Sequence, residues 1–131
     1  MAPEQARGTA VDARTDVYAL GVVALRLLTG LPAVVPGDVP AMLHEVAYRM
    51  PPRPSSLVDL RPAVESVLAI ALAKNPDLRF HSAGELARAL TESAAGRVDP
   101  TIATRAAAIL ARTPWGHWAR LRTASIAPRL G

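Results

Sequence analysis

At residues 16–30 the chain reads DVYALGVVALRLLTG, an apolar run with helix signals at both ends. Thr15 is a preferred N-cap residue, and Asp16 would place a carboxylate in the first turn, where the helix dipole favours it. Gly30 and then Pro32 would end the helix. Apolar residues occupy almost every side of it, so we expect this helix to be buried on most sides and to form the centre of the fold.

Four more helices follow in the sequence, each with recognisable start or stop residues and apolar residues at helical spacing. Between residues 31 and 39 the chain reads as a loop, and Pro51 to Ser56 reads as an extended connector. No segment shows the sustained alternation of a strand, so the predicted fold class is all-α. The four helices are marked by Asp38 to Met50 with Pro51-Pro52 as the stop, by Pro62 and Asn75-Pro76, by the capping box Ser82-Ala83-Gly84-Glu85, and by Asp99-Pro100 and Thr113-Pro114.

The composition excludes several classes of protein. Of the 131 residues half are apolar, which is too many for a disordered polar chain. There is no cysteine, which rules out disulfides, thiolate metal sites and cysteine nucleophiles and fits a cytoplasmic location. The longest apolar run, Val17 to Leu28, is interrupted by Arg26 and is shorter than the ~20 residues of a membrane span. Residues 1–5 do not have the pattern of a signal peptide.

Positive charge is concentrated at the C-terminal end. Six arginines lie within residues 97–131 against Asp99 alone, although the whole chain carries only +4. We therefore divide the chain into residues 1–92 and a basic helical tail, residues 93–131. In one interpretation Ile102, Ile109, Leu110 and the tryptophan rings pack on the preceding helices while the arginines face water. In the other, the tail contacts nucleic acid or an anionic membrane. We favour the first and expect no nucleic-acid or membrane partner.

Three segments, in this order, resemble the eukaryotic-like Ser/Thr protein kinases of bacteria. Residues 2–4 (APE) resemble the motif that closes the activation segment of these enzymes. Residues 16–30 resemble the F helix and its exit. Residues 71–76 (ALAKNP) with 79–86 (RFHSAGEL) resemble the end of the H helix, the arginine turn and the I helix. The resemblance covers roughly residues 1–92 and implies the C-terminal part of a kinase C-lobe.

The resemblance also assigns roles to individual residues. Glu4 is expected to pair with Arg79, joining the end of the activation segment to the turn before the I helix. Asp16 is expected to accept hydrogen bonds from the backbone of the catalytic loop and to anchor that loop on the F helix. Residues 39–50 correspond to the G helix, on which kinases of this family often dock partners. Taken without the resemblance, Glu4, Arg79 and Asp16 would be ordinary solvated charges.

The residues that perform kinase chemistry are absent from the sequence. The complete family domain phosphorylates protein hydroxyls with ATP and magnesium, using a glycine-rich loop, a strand lysine and catalytic and metal-binding acids. Here no glycine-rich loop, His-Arg-Asp or Asp-Phe-Gly occurs, and the only lysine, Lys74, lies at a helix end. The histidines, His44, His81 and His117, are too dispersed for a zinc motif. We expect no catalytic, cofactor or metal residues in this chain and no kinase activity from it alone.

Two further expectations follow from the resemblance. Kinases of this type commonly carry an internal methionine before the A-P-E motif, so Met1 is expected to match an internal position of a longer kinase. In a complete kinase the F helix is covered by the catalytic loop and E helix, so the Asp16–Thr29 helix should keep an apolar face for the rest of a kinase or for another protein. The alternative function is a non-catalytic helical module that binds proteins through this face or through the Asp38–Met50 helix.

Overall fold

The computed structural model describes residues 2–8, 12–30, 39–97 and 99–116. Within these ranges the chain is all-α, as predicted, and no strand forms. An isolated parallel bridge pairs Pro52 with Gly116. The loop before the second predicted helix and the end of the basic tail lie outside the described residues. The helices are α1 (Pro3–Ala6), α2 (Ala13–Thr29), α3 (Val39–Tyr48), α4 (Pro62–Ala71), α5 (Ala83–Ala94) and α6 (Pro100–Arg112), with 3₁₀ turns at Pro54–Ser56 and Pro76–Leu78.

Helix α2 begins earlier than the sequence analysis placed it. Its N-cap is Asp12, whose side chain accepts a hydrogen bond from the Arg14 N–H at 2.8 Å. The Thr15 hydroxyl accepts a bond from the Asp12 N–H at 3.3 Å, which completes a capping box. The prediction of Thr15 as N-cap was therefore wrong, because Asp12 satisfies the free amide groups of the first turn. Asp16 remains in the N-terminal part of the helix.

Two other helix predictions need correction at their ends. Helix α4 stops at Ala71, not at Asn75, because the chain turns there and offers the Ala73 carbonyl to the Arg79 side chain. The capping box predicted for α5 is only half formed. The Ser82 hydroxyl accepts a bond from the Glu85 N–H at 3.1 Å, but the Glu85 carboxylate accepts from the N–H of His81.

The connector at residues 51–56 is also less extended than predicted. It contains the 3₁₀ turn Pro54–Ser56, which is closed by a hydrogen bond from the Leu57 N–H to the Pro54 carbonyl. Arg53, ahead of the turn, has φ −58° and ψ 120°, close to the polyproline II geometry that a following proline favours. The connector therefore combines extended and 3₁₀ geometry.

The centre of the fold is α4, against which α2, α5 and α6 all pack. Six consecutive residues, 68–73, which run from the last turn of α4 into the segment after it, are fully buried. Helix α2 approaches α4 closely at Gly21, where an added Cβ would lie 2.9 Å from the Ala71 Cβ. The absence of a side chain at Gly21 therefore sets the distance between these two helices.

Helix α2 is less buried than predicted. Val17, Tyr18, Gly21 and Leu25 face the core, but the opposite side is open. We call that side, defined by Leu20, Val23, Leu27 and Leu28, the exposed α2 face, and these side chains are 43%, 52%, 82% and 41% exposed. The expectation of burial on most sides was wrong, whereas the expectation of an uncovered apolar face agrees with this geometry.

Helix α6 packs on the rest of the chain and not away from it. Ala106 and Ile109 are buried in the cluster that also contains Phe80 and residues of α4, and Trp115 packs against its edge. The fifth predicted helix is thus confirmed. Ile102, Leu110 and Trp115 pack against this core as the first interpretation of the tail expects, whereas Arg105 donates to the carbonyls of Leu78 and Arg79. None of the helices in the described part of the chain is long and apolar enough to cross a membrane.

Candidate functional site

The structure brings Glu4 and Arg79 together in a buried ion pair, although 75 residues separate them. Arg79 Nη1 donates to Glu4 Oε2 at 2.7 Å, and Arg79 Nη2 donates to Glu4 Oε1 at 2.8 Å. Two parallel bonds of this kind fix the relative orientation of the two groups as well as their distance. Glu4 is 2% exposed and Arg79 is fully buried, so the pair lies out of contact with solvent.

Arg79 also binds three backbone carbonyls. Its Nε donates to the Ala73 oxygen at 2.8 Å, Nη1 to the Arg14 oxygen at 3.0 Å, and Nη2 to the Lys74 oxygen at 3.4 Å. One side chain therefore links α1, the first turn of α2 and the segment after α4. Arg79 is therefore the residue at which these three segments meet.

Two residues that the sequence analysis did not assign to the site complete it. The Thr15 hydroxyl donates to Glu4 Oε2 at 2.7 Å within the core. The Tyr18 ring lies against the guanidinium of Arg79, with 4.9 Å between the guanidinium carbon and the ring centroid. Burial raises the pKa of the Tyr18 hydroxyl to about 12, so this phenol stays neutral. Thr15 and Tyr18 are three residues apart on a helix and so share a face, which was the available signal.

The electrostatics of Glu4 follow from these contacts. Burial alone would raise the pKa of its carboxyl, but the hydrogen bonds from Arg79 and Thr15 outweigh that effect and lower the pKa from 4.5 to about 2. Glu4 is therefore an anion at every physiological pH. It can hold Arg79 in place, but it cannot serve as a proton donor or acceptor near neutrality.

The third predicted site residue, Asp16, lies apart from the ion pair. It follows Thr15 directly but is exposed, so its carboxylate faces outward from the N-terminal end of α2. The N-terminal part of α2 thus presents one side chain to the buried pair and the next one to the surface. Among the described residues, no group of three or more His, Asp or Glu side chains could hold a metal ion.

A second buried carboxylate, Glu65 in α4, was also not identified from the sequence. Glu65 accepts a bond from Arg53 Nε at 2.9 Å and another from the Ser55 N–H at 2.7 Å. Burial raises the pKa of Glu65, but the bonds from Ser55 and Arg53 outweigh it and hold that pKa below its usual value. This contact fastens the connector between α3 and α4 to the core.

Two surfaces correspond to the partner sites expected from the sequence. Next to the exposed α2 face lies an open, mostly apolar groove of about 460 Å³, which α2, α5 and the start of α4 enclose. Leu27 and Leu28 belong to both the face and the groove. On α3, Tyr48 is 57% exposed and its ring lies 5.2 Å from that of His44.

Comparison with known proteins finds bacterial serine/threonine-protein kinases among the relatives of this chain. A serine/threonine-protein kinase PknB of Mycolicibacterium smegmatis is 46% identical over 88 residues, which are 66% of this chain and 14% of that kinase. PknB of Mycobacterium leprae is 44% identical over 92 residues, again 66% of this chain and 14% of the kinase. A serine/threonine-protein kinase Pkn1 of Myxococcus xanthus is 42% identical over 99 residues, or 75% of this chain and 14% of the kinase.

These relatives are much longer than the segment they share with this chain, which spans about 14% of their length. No protein-family model matches the chain. The identity is nevertheless high over two thirds of the sequence, and the described residues form helices only, as the C-terminal part of a kinase C-lobe requires. Over this part of its length the chain belongs to the bacterial serine/threonine protein kinases, as the C-terminal part of a C-lobe.

Proposed function

We propose that this chain supplies the helical base of a Ser/Thr protein kinase domain whose complete form transfers phosphate from ATP and magnesium to protein hydroxyls. The observation that carries the proposal is the buried, bidentate pair of Glu4 and Arg79. Glu4 lies in the segment that resembles the end of an activation segment. A rigid connection between that segment and the helical core would keep the substrate-binding side of the domain in position, because small displacements near reacting groups cost much of the rate.

Asp16 has a separate role in this proposal. Its carboxylate is exposed at the N-terminal end of α2, and its neighbour Thr15 is held by the buried pair. Asp16 would accept hydrogen bonds from the backbone of a catalytic loop that the rest of the domain provides. The chain itself would bind neither ATP nor magnesium, since it lacks the residues that cradle phosphates and hold metal ions in this family.

The partner that we propose for the exposed α2 face is the remaining part of the kinase domain. This face and the adjoining groove are apolar and open, and exposed apolar patches of this kind mark a surface that another segment covers. Helix α3, with exposed Tyr48, would be the docking site for a separate protein. We place the domain in the cytoplasm, where ATP and magnesium are available.

A chimeric kinase tests the function directly. In Mycolicibacterium smegmatis PknB, the homologous segment is replaced by this chain, and phosphorylation of a protein substrate is measured with radiolabelled ATP. We expect an active chimera, and we expect Asp16→Ala to lower its activity about 100-fold through misplacement of the catalytic loop. Asp77→Ala, which removes another exposed acid, is the control and should leave activity unchanged. A chimera that folds but is inactive would contradict the proposal.

A non-catalytic helical interaction module is the second candidate, and the exposed α2 face favours it. The two candidates differ in the length of the native protein that they require. That protein can be isolated from its own cells, and its mass can be measured by intact-mass spectrometry. A mass far above 13.8 kDa supports the kinase. A mass of 13.8 kDa supports the interaction module. Its partner would then bind over Leu27, and Leu27→Glu should abolish that binding.

A further inference from the structure

A cluster of cationic side chains surrounds a cavity that the kinase role does not use. The cavity has a volume of about 340 Å³ and lies between the turn after α4 and the end of α6. Its charged lining residues are Arg7, Lys74 and Arg112, which come from three segments distant in the sequence. No carboxylate is among the described residues that line it. The folded chain thus assembles a positive site that no single segment carries.

A backbone carbonyl holds Arg7 in position, because Arg7 Nη2 donates to the Lys74 oxygen at 3.1 Å. The Lys74 ammonium is engaged elsewhere, since Nζ donates to the Val46 oxygen at 2.9 Å and lies 5.6 Å from the centroid of the Tyr18 ring. A carbonyl orients the Arg7 guanidinium without cancelling its formal charge. Arg112 reaches the cavity from the last turn of α6, which the negative end of the helix dipole makes a favourable position for a cation. The lining of the cavity is therefore both positive and ordered.

A second cavity, of about 260 Å³, continues this site along α6. It shares Arg112 with the first cavity and adds Arg105, two turns earlier on the same side of the helix. Asp77 is the acid in its described lining, and the carboxylate of Asp77 pairs with Arg14. Apolar side chains, Leu78 and Ile109, form a wall common to both cavities. Positive charge therefore exceeds negative charge over the whole site.

We propose that this site binds a phosphate monoester, in the form of a phosphorylated serine or threonine side chain of a peptide. Such a group carries nearly two negative charges and three acceptor oxygens, which clustered arginines bind strongly. The cavity is large enough for one such side chain, and the wall of Leu78 and Ile109 suits the carbon atoms of a peptide. Single-stranded nucleic acid fits less well, because the described lining contains no aromatic ring on which a base could stack. The proposal does not depend on the proposed function.

Binding to a synthetic peptide tests the inference. A peptide of about ten residues with one phosphothreonine, labelled with a fluorophore, is titrated with the full chain, and fluorescence anisotropy is followed. We expect binding that the unphosphorylated peptide lacks. Since charge-assisted hydrogen bonds are each worth a factor of ten or more in affinity, Arg7→Gln with Arg112→Gln should weaken binding at least about tenfold. The matched control removes the same net charge at exposed Arg26 and Arg88, and it should leave binding within about twofold.

Several outcomes would overturn the inference. They are equal loss of binding in the control variant, equal binding of the unphosphorylated peptide, and tighter binding of a single-stranded oligonucleotide that the site variant abolishes. Circular dichroism shows whether the site variant folds. If it does not, amide chemical shifts of the unsubstituted chain answer the question. Shifts in the phosphopeptide titration should concentrate around Leu78, Arg105 and Arg112, and shifts confined to other residues would also contradict it. Competition by inorganic phosphate would support recognition of the phosphate group itself.

Discussion

The guanidinium of Arg79 is completely buried in a small helical chain, which a charged group tolerates only when all of its donors are used. A guanidinium has five N–H groups. Here Glu4 takes two of them, and the carbonyls of Ala73, Arg14 and Lys74 take the other three. The face of the Tyr18 ring adds a further electrostatic contact. The charge is therefore balanced by one carboxylate and by dipoles. The loss of Glu4 would remove the counter-charge, and the loss of a carbonyl would leave one buried N–H without an acceptor.

Glu4→Gln should lower the free energy of unfolding by about 3–5 kcal/mol at pH 7, because it leaves Arg79 buried without a counter-charge. Urea denaturation followed by circular dichroism measures the change. Asp77→Asn breaks the exposed pair with Arg14 and is the control, with an expected cost below about 1 kcal/mol. A loss below 1 kcal/mol for Glu4→Gln would mean that the pair does not hold α1 to the core.

The same carboxylate predicts the acid sensitivity of the fold. The pKa of Glu4 is lowered from 4.5 to about 2, so its contribution to stability is complete above pH 4.5 and is lost as the pH falls toward 2. A shift of this size corresponds to about 3 kcal/mol. Unfolding free energies measured between pH 7 and pH 2 should show this decline in the unsubstituted chain. Glu4→Gln should show a smaller one, due to groups such as Glu65, and an unchanged pH profile would contradict the assignment.

At the scale of the helices, the close approach of α2 to α4 depends on Gly21. Gly21→Ala would improve helix propensity by about 1 kcal/mol, but the new methyl group would lie 2.9 Å from the Ala71 Cβ. Overpacking of two helix backbones costs about 1–3 kcal/mol, so we expect net destabilisation. Gly84→Ala is the matched control, since only the Ser82 hydroxyl oxygen, at 3.9 Å, lies near the new methyl group. Thermal unfolding should show a lower Tm for the first variant and an equal or higher Tm for the second.

Local signals account for the helices that were predicted correctly. The errors at the helix ends come from interactions that form only in the folded chain. Apolar spacing and the Asp99 cap were sufficient for α6, because both act within a few residues. The end of α4 was missed because Arg79 binds the Ala73 carbonyl and draws the chain out of the helix, an interaction invisible to a local pattern. The start of α2 was missed because Asp12 and Thr15 are both good capping residues, and only the folded chain uses them together.

The pairing at the site had no local signal either. Glu4 and Arg79 were linked through the resemblance to kinases, since neither residue type nor spacing connects positions 75 residues apart. Thr15 and Tyr18 could have been predicted as members of the site, because they lie three residues apart and therefore share the core-facing side of α2. The cationic cavity could not have been predicted, because Arg7, Lys74 and Arg112 converge only through the packing of α6 on the other helices.

At the scale of the whole molecule, the kinase-like part and helix α6 share one core. The resemblance covers roughly residues 1–92, yet Ala106 and Ile109 of α6 are buried together with Phe80 and α4. Arg105 lies over the Phe80 ring, 5.1 Å from its centroid, and donates to the carbonyl of Arg79 at 3.4 Å. Helix α6 therefore contacts the same turn that carries the buried ion pair. A boundary after residue 92 drawn from charge and resemblance does not correspond to a gap in the packing.

Ile109→Ala should therefore destabilise the entire chain and not α6 alone. Truncation of a buried isoleucine costs about 2–5 kcal/mol, through lost contacts and the cavity left behind. Urea denaturation should show a single transition, displaced to lower urea with an unchanged slope, because small domains that share a core unfold as one unit. Ala111→Ser on the exposed side of α6 is the control and should stay within about 0.5 kcal/mol. Two transitions, of which only one responds to Ile109→Ala, would instead establish α6 as a separate folding unit. The cationic cavity would then exist only while that unit is folded.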